Sequence, residues 1–154
     1  MTRRCALVTG VGPGTGSSIV RRFVEGGYDV AMIARNEQRL RQLEAETRHT
    51  KAFPVDVTDL AGFDQTIDRI TTDFGPPEGV IHNAVGGVFG SFMQIDPMVL
   101  LHNSQVNVMA LLRPVNEAAR LLSNLRDLAL EFAARSREIE EARRVPSDIG
   151  VTGI

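Results

Sequence analysis

The sequence predicts an α/β domain in which a parallel sheet is covered by helices on both faces. Three observations lead there. Short β-branched apolar runs alternate with longer helical patterns through roughly the first hundred residues, the order of strand–helix–strand units. The strand runs are apolar along their whole length, as strands covered on both faces are. A glycine-rich turn, Gly10 to Gly16, joins the first strand to the first helix.

Taken in order, Cys5 to Thr9 is the first predicted strand. Ser17 to Glu25 follows as a helix with Ile19, Val20, Phe23 and Val24 on one face, ended by Gly26-Gly27. Asp29 to Ala34 is the second strand, and Asn36 caps a helix that turns Leu40 and Leu43 inward among charged neighbours. Ala52 to Val55 is the third strand. Asp59 caps a third helix whose Phe63, Ile67, Ile70 and Phe74 keep helical spacing, and Gly75-Pro76-Pro77 turns the chain into a fourth strand, Gly79 to His82. Asp96-Pro97 then reads as an N-cap and first helical position, opening a helix from about Met98 to Leu122 that Pro114 should kink. A second helical pattern runs from Ser123 to Arg144, with Leu125, Leu128, Phe132 and Ile139 on a stripe, and stops at Pro146. The organisation expected is therefore a domain over residues 1–122 and a helical tail over residues 123–154.

Composition narrows the classes of function. The 154 residues are 43% hydrophobic and 23% charged, enough for one packed core without disulfide or metal staples. A formal net charge of −2 gives no global attraction for nucleic acid or an anionic membrane, so neither is expected as a partner. Arg3 and Arg4 precede an apolar run too short for a secretion signal, and no run approaches a membrane span. With Cys5 as the single cysteine, a cytoplasmic protein is expected. Cys5 itself reads as a core filler. His49, His82 and His102 share no metal-ligand spacing, and no metal is expected.

The stretch Thr9-Gly10-Val11-Gly12-Pro13-Gly14-Thr15-Gly16 carries the functional signal. Glycines let the backbone turn sharply and let a pyrophosphate approach, while the following helix directs its N-terminal N–H groups and dipole at the anion. An NTPase loop would need a Gly-Lys-Ser/Thr step, and the only lysine is Lys51. Gly12 to Gly16 also looks like the loop of S-adenosylmethionine-dependent methyltransferases. Those enzymes usually carry acids where this chain has Gly10 and Ala34.

With a dinucleotide as ligand, the sequence resembles the short-chain dehydrogenase/reductase family. Its TGxxxGxG motif is matched by Thr9, Gly10, Gly14 and Gly16, with Thr15 inside it. Its aspartate after the third strand is matched by Asp56, followed by Val57. Its NNAG motif is matched in part by His82-Asn83-Ala84-Val85, and its asparagine on the fourth helix by Asn107. The likeness covers about residues 4–122. It implies a Rossmann-type three-layer α/β/α fold with strand order 3-2-1-4, and cofactor contacts at the glycine loop, Asp56, Val57, Asn83 and Ala84. It also implies a role in catalysis for Asn107. Val85 departs from the family glycine, and Gly86-Gly87 follow it.

Charge then bears on the cofactor. An acid ending the second strand would hold the ribose hydroxyls and repel a 2′-phosphate, whereas this chain has Ala34-Arg35. NADP(H) is therefore expected over NAD(H), with Arg35 and Asn36 at the phosphate. The family exchanges the substrate proton through a tyrosine and a lysine three to four residues on, with a serine at the substrate oxygen. Tyr28 is the only tyrosine and precedes the second strand, and Lys51 precedes the third. The resemblance thus implies an oxidoreductase that is catalytically incomplete as this chain, truncated relative to the family. Two readings of other classes stay open: a non-catalytic nucleotide-binding interaction module, and a methyltransferase. A fourth strand left at the sheet edge, or the tail's apolar stripe, could also pair two copies.

Overall fold

The structure, a computed structural model, describes residues 3–112, 114–116 and 119. Four strands form one parallel sheet: β1 (Arg4–Thr9), β2 (Tyr28–Ala34), β3 (Thr50–Pro54) and β4 (Gly79–His82), in the order β3-β2-β1-β4. Register runs from Arg4 opposite Tyr28 to Thr9 opposite Ile33, from Ala6 opposite Gly79 to Thr9 opposite His82, and from Val30 opposite Thr50 to Ala34 opposite Pro54. The helices are α1 (Thr15–Glu25), α2 (Glu37–Glu46), α3 (Leu60–Phe74) and α4 (Pro97–Ser104).

Alternation along the strands divides the core in two. Cys5, Leu7, Ala31, Ile33 and Phe53 point to one face, where Phe63, Ile67 and Ile70 of α3 bury them together with Val106 and Ala110. Val8, Val30, Met32 and Ala52 point to the other, against Val20 of α1 and Leu40 and Leu43 of α2. This is the three-layer arrangement the sequence predicts. Burial inside the first layer pushes the Cys5 thiol up to about 11, with Asp29 and Glu78 adding to the shift, so the cysteine packs as a neutral side chain.

The predicted caps are present where the side chains can reach. Asn36 accepts from the Arg39 N–H at 3.0 Å, Asp59 from Gly62 at 3.1 Å, and Asp96 from Met98 at 2.8 Å. The element bounds differ from the sequence reading at several places: β1 and β2 each begin one residue early, and α1 begins at Thr15 rather than Ser17. β3 begins at Thr50, two residues early, because its polar first residues pair with β2 while remaining half exposed. A 3₁₀ turn at Phe92–Gln94 carries no periodic signal. The fourth helix leaves α geometry at Gln105–Met109, a π-helical turn, whereas Pro114 had marked the expected break. The helix predicted from Ser123 to Arg144, with the whole tail over residues 123–154, lies outside the described residues. Among the described residues no helix is long and apolar enough to cross a membrane, and no group of three metal-ligating side chains occurs.

Candidate functional site

All four strands run the same way, so their carboxyl ends share one edge of the sheet. The order reverses between β1 and β4, where a crevice forms. A concavity of about 370 Å³ opens there. It is lined by Gly10, Val11 and Gly12 after β1, by Ala34, Arg35 and Asn36 at the end of β2, and by Val55, Asp56 and Val57 after β3. Asn83 to Gly86 after β4 and His102 and Val106 from the fourth helix complete the wall.

The glycine turn is shaped by two close approaches. Gly10 has φ +71°, and a Cβ there would collide with the backbone of Asn83 and Ala84. A Cβ on Gly16 would lie 2.6 Å from the Gly10 carbonyl oxygen. In front of Gly12 and Gly14, by contrast, a Cβ would meet nothing within 4 Å, so that space is open to a ligand. The loop carbonyls are turned into the helix: Ser17 N–H donates to Gly12 O at 3.0 Å, and the Ser17 hydroxyl reaches Gly14 O at 2.9 Å. The N–H groups of Gly12, Gly14, Thr15 and Gly16 meet no acceptor among the described residues. Free donors at a helix N-terminus beside open space suit a phosphate.

The floor is braced by side chains. Asn83 donates from Nδ2 to Gly10 O at 2.8 Å, and its N–H donates to Thr9 O at 3.1 Å, which locks the β4 exit against the glycine turn. Thr9 is fully buried and its hydroxyl lies 2.8 Å from His82 Nδ1, while His82 Nε2 lies 2.9 Å from the Val106 carbonyl. A carbonyl can only accept, so Nε2 carries the hydrogen, and in the neutral ring Nδ1 accepts from Thr9. Asn107 Oδ1 accepts from the Gly86 N–H at 2.8 Å and its Nδ2 donates to Gly86 O at 2.9 Å. His82 and Asn107 thus tie the π-helical turn to β1, β4 and the loop after β4.

The charged groups lie toward the β2 and β3 side. Burial would raise the Asp56 carboxyl, but hydrogen bonds from the Thr58 N–H and hydroxyl, with Arg35 and His102 nearby, hold it below the ordinary carboxylate value. Arg35 Nη1 lies 3.9 Å from Asp56 Oδ2 across the cleft and is otherwise exposed.

Of the residues singled out from the sequence, Gly10, Arg35, Asn36, Asp56, Val57, Asn83 and Ala84 line this one concavity. Thr9 and Gly16 lie behind it as packing, Gly14 is the α1 N-cap and Thr15 starts α1. Asn107 stands at the π turn with its amide engaged by Gly86. Val11, Val55, His102 and Val106 were not singled out, and only the apolar character of three of them hinted at a wall, while Gly86, noted after the NNAG-like stretch, lines it too. The sole tyrosine and sole lysine are at the other end of the sheet. Tyr28 opens β2, with the Arg4 guanidinium 4.4 Å from its ring centroid and Phe23 packed edge-on at 5.3 Å. Lys51 bonds Asp73 at 2.7 Å.

The family model for short chain dehydrogenase matches residues 4–127. The 2,3-dihydro-2,3-dihydroxybenzoate dehydrogenase of Bacillus subtilis is 33% identical over 85 residues, which cover 53% of this chain and 33% of that protein. Actinorhodin polyketide ketoreductase in complex with NADPH superposes with a TM-score of 0.72 at 24% identity, over 77% of this chain and 48% of its own. The 3-ketoacyl-(acyl-carrier-protein) reductase of Brucella melitensis in complex with NADH gives 0.66 at 24% identity, over 79% and 49%. At that identity the two structural likenesses speak to the fold. The chain spans about a third to a half of the length of these relatives.

Proposed function

This chain belongs to the short-chain dehydrogenase family, and on that premise we propose that its cleft binds a nicotinamide dinucleotide, NADP(H) in preference to NAD(H), without completing hydride transfer by itself. The observation that carries the reading is the convergence of Gly10, Arg35, Asn36, Asp56, Val57, Asn83 and Ala84, from four separate strand ends, on one concavity. In this reading the free N–H groups of Gly12, Gly14, Thr15 and Gly16 hold the pyrophosphate, the last three at the first turn of α1. Asp56 accepts from the adenine amino group, Val57 packs on the ring, and Asn83 and Ala84 form the wall toward the nicotinamide. Arg35 and Asn36 take the 2′-phosphate, since a cation following β2 favours the anion where an acid at that position would repel it.

The nicotinamide, when bound, supplies the hydride-exchanging carbon. The accompanying proton needs an acid–base group beside it. Tyr28 is packed between Arg4 and Phe23, and Lys51 is paired with Asp73, both away from the concavity. The chain is thus read as an oxidoreductase-family nucleotide binder that is incomplete for turnover. The family match leaves the methyltransferase and the independent interaction module without support. The single cysteine, buried and reduced in character, agrees with a cytoplasmic setting.

Titration with NADPH and with NADH, followed by reduced-nicotinamide fluorescence, tests this together with a carbonyl panel on the same sample. NADPH should bind more tightly, Arg35→Ala should narrow the gap between the two cofactors, and no carbonyl should be reduced. Equal affinity in the unaltered chain would overturn the NADP(H) preference, and steady turnover would overturn the incompleteness.

A further inference from the structure

The polar groups left for a ligand are unevenly divided along the concavity. On the β2 and β3 side they are open. Asp56 Oδ1 accepts both the Thr58 N–H and the Thr58 hydroxyl, which leaves Oδ2, 3.9 Å from Arg35 Nη1, without a hydrogen-bond donor among the described residues. Val55, Val57 and Val106 add apolar surface to the same lining. At the glycine turn the N–H groups of Gly12, Gly14, Thr15 and Gly16 are unengaged among the described residues, and the space before Gly12 and Gly14 is open. The β4 side differs. Asn83 Nδ2 is engaged by Gly10 O, both ring nitrogens of His82 by Thr9 and Val106, and both amide atoms of Asn107 by Gly86. The six residues from Ala84 to Phe89 carry no polar side-chain atom, and Val85 and Phe89 are almost wholly exposed.

From this division we infer that the cleft recognises its ligands by their adenosine diphosphate portion, and that a nicotinamide attached to it adds little affinity. Ligands bearing that portion, ADP-ribose as well as the dinucleotides, then form one class for this chain. The inference rests on the nucleotide reading above and narrows it to one half of the molecule. A small ligand is held by burial against apolar side chains and by a few placed polar partners. For a purine the valines supply the first and Asp56 Oδ2 the second. The diphosphate gains the four N–H groups at the start of α1. A nicotinamide on the β4 side would rest beside apolar and already engaged side chains, so its carboxamide oxygen would find no uncommitted side-chain donor there among the described residues. The size agrees, since about 370 Å³ lies near the lower end of the roughly 300–1,000 Å³ of small-molecule sites.

Titration calorimetry of the full chain tests this with two pairs of equal charge, ADP-ribose with NADH and 2′-phospho-ADP-ribose with NADPH, whose members differ only by the dihydronicotinamide ring. Within each pair the affinities should agree to better than about fivefold, the gain that one ordinary hydrogen bond would bring. Nicotinamide mononucleotide should not displace ADP-ribose, and Asp56→Asn should weaken both members of a pair by the same factor. A dinucleotide bound about fivefold or more tightly than its partner, displacement by nicotinamide mononucleotide, or unequal losses in Asp56→Asn would overturn the inference and leave the cofactor reading standing. The reverse order within both pairs would overturn the cofactor reading and leave adenosine diphosphate as the portion recognised. A chain that binds none of these nucleotides would overturn both.

Discussion

Asp56 stands under opposing influences that a titration separates. Burial raises its carboxyl, and the Thr58 hydrogen bonds, with Arg35 and His102, pull it below its usual 3.8. A carboxyl lowered in the folded state contributes stability that is present above its unfolded value and is lost as pH falls through the folded one. Asp56→Asn should therefore be less stable than the unaltered chain at pH 7, and the gap should close in denaturant-unfolding midpoints taken toward pH 3. A gap that stays constant over that range would show that the charge of Asp56 contributes nothing. Asp56, Arg35 and Asn36 could be read from the sequence because each follows directly on an apolar strand, where the chain must leave the sheet edge. His102 and Val106 could not. They reach the pocket from a helix twenty residues after the last strand, and nothing local in their pattern points toward Asp56.

Strands and helices were legible wherever one local rule dominates. Doubly covered strands announce themselves by unbroken apolar runs, and α2, α3 and α4 begin after side chains that accept from a free N–H of the first turn. The π-helical turn at Gln105–Met109 follows no such rule, because its partners come from other elements. His82 on β4 donates to the Val106 carbonyl, and Asn107 pairs with both backbone groups of Gly86. The bulge is therefore a tertiary feature in a stretch that looks helical by itself. Asn107→Ala removes both bonds to Gly86, so the Gly86 amide should exchange with solvent faster while the amides of β1 keep their protection. Equal exchange at Gly86 in the two proteins would mean that the loop after β4 is held by something other than Asn107.

At the scale of the whole molecule, fold and site are linked by one geometric fact. Four parallel strands in the order β3-β2-β1-β4 bring their carboxyl ends to a common edge, so residues as far apart as Gly10 and Gly86 become neighbours. The near-neutral net charge of −2 adds no long-range field, so in the proposed reading recognition rests on the charged side chains and backbone donors at that edge. The chain matches a third to a half of the length of its relatives, and its tyrosine and lysine lie away from the cleft. Binding at this edge is then the central claim, and the most direct measurement of it is a residue-by-residue map of backbone amide chemical shifts as NADPH is added. The shifts should concentrate at Gly10 to Ser17, Ala34 to Asn36, Asp56 to Val57 and Asn83 to Gly86, and leave Tyr28 and Lys51 unmoved. Saturating NADPH that perturbs none of these segments, or that perturbs the Tyr28 and Lys51 end of the sheet instead, would contradict it.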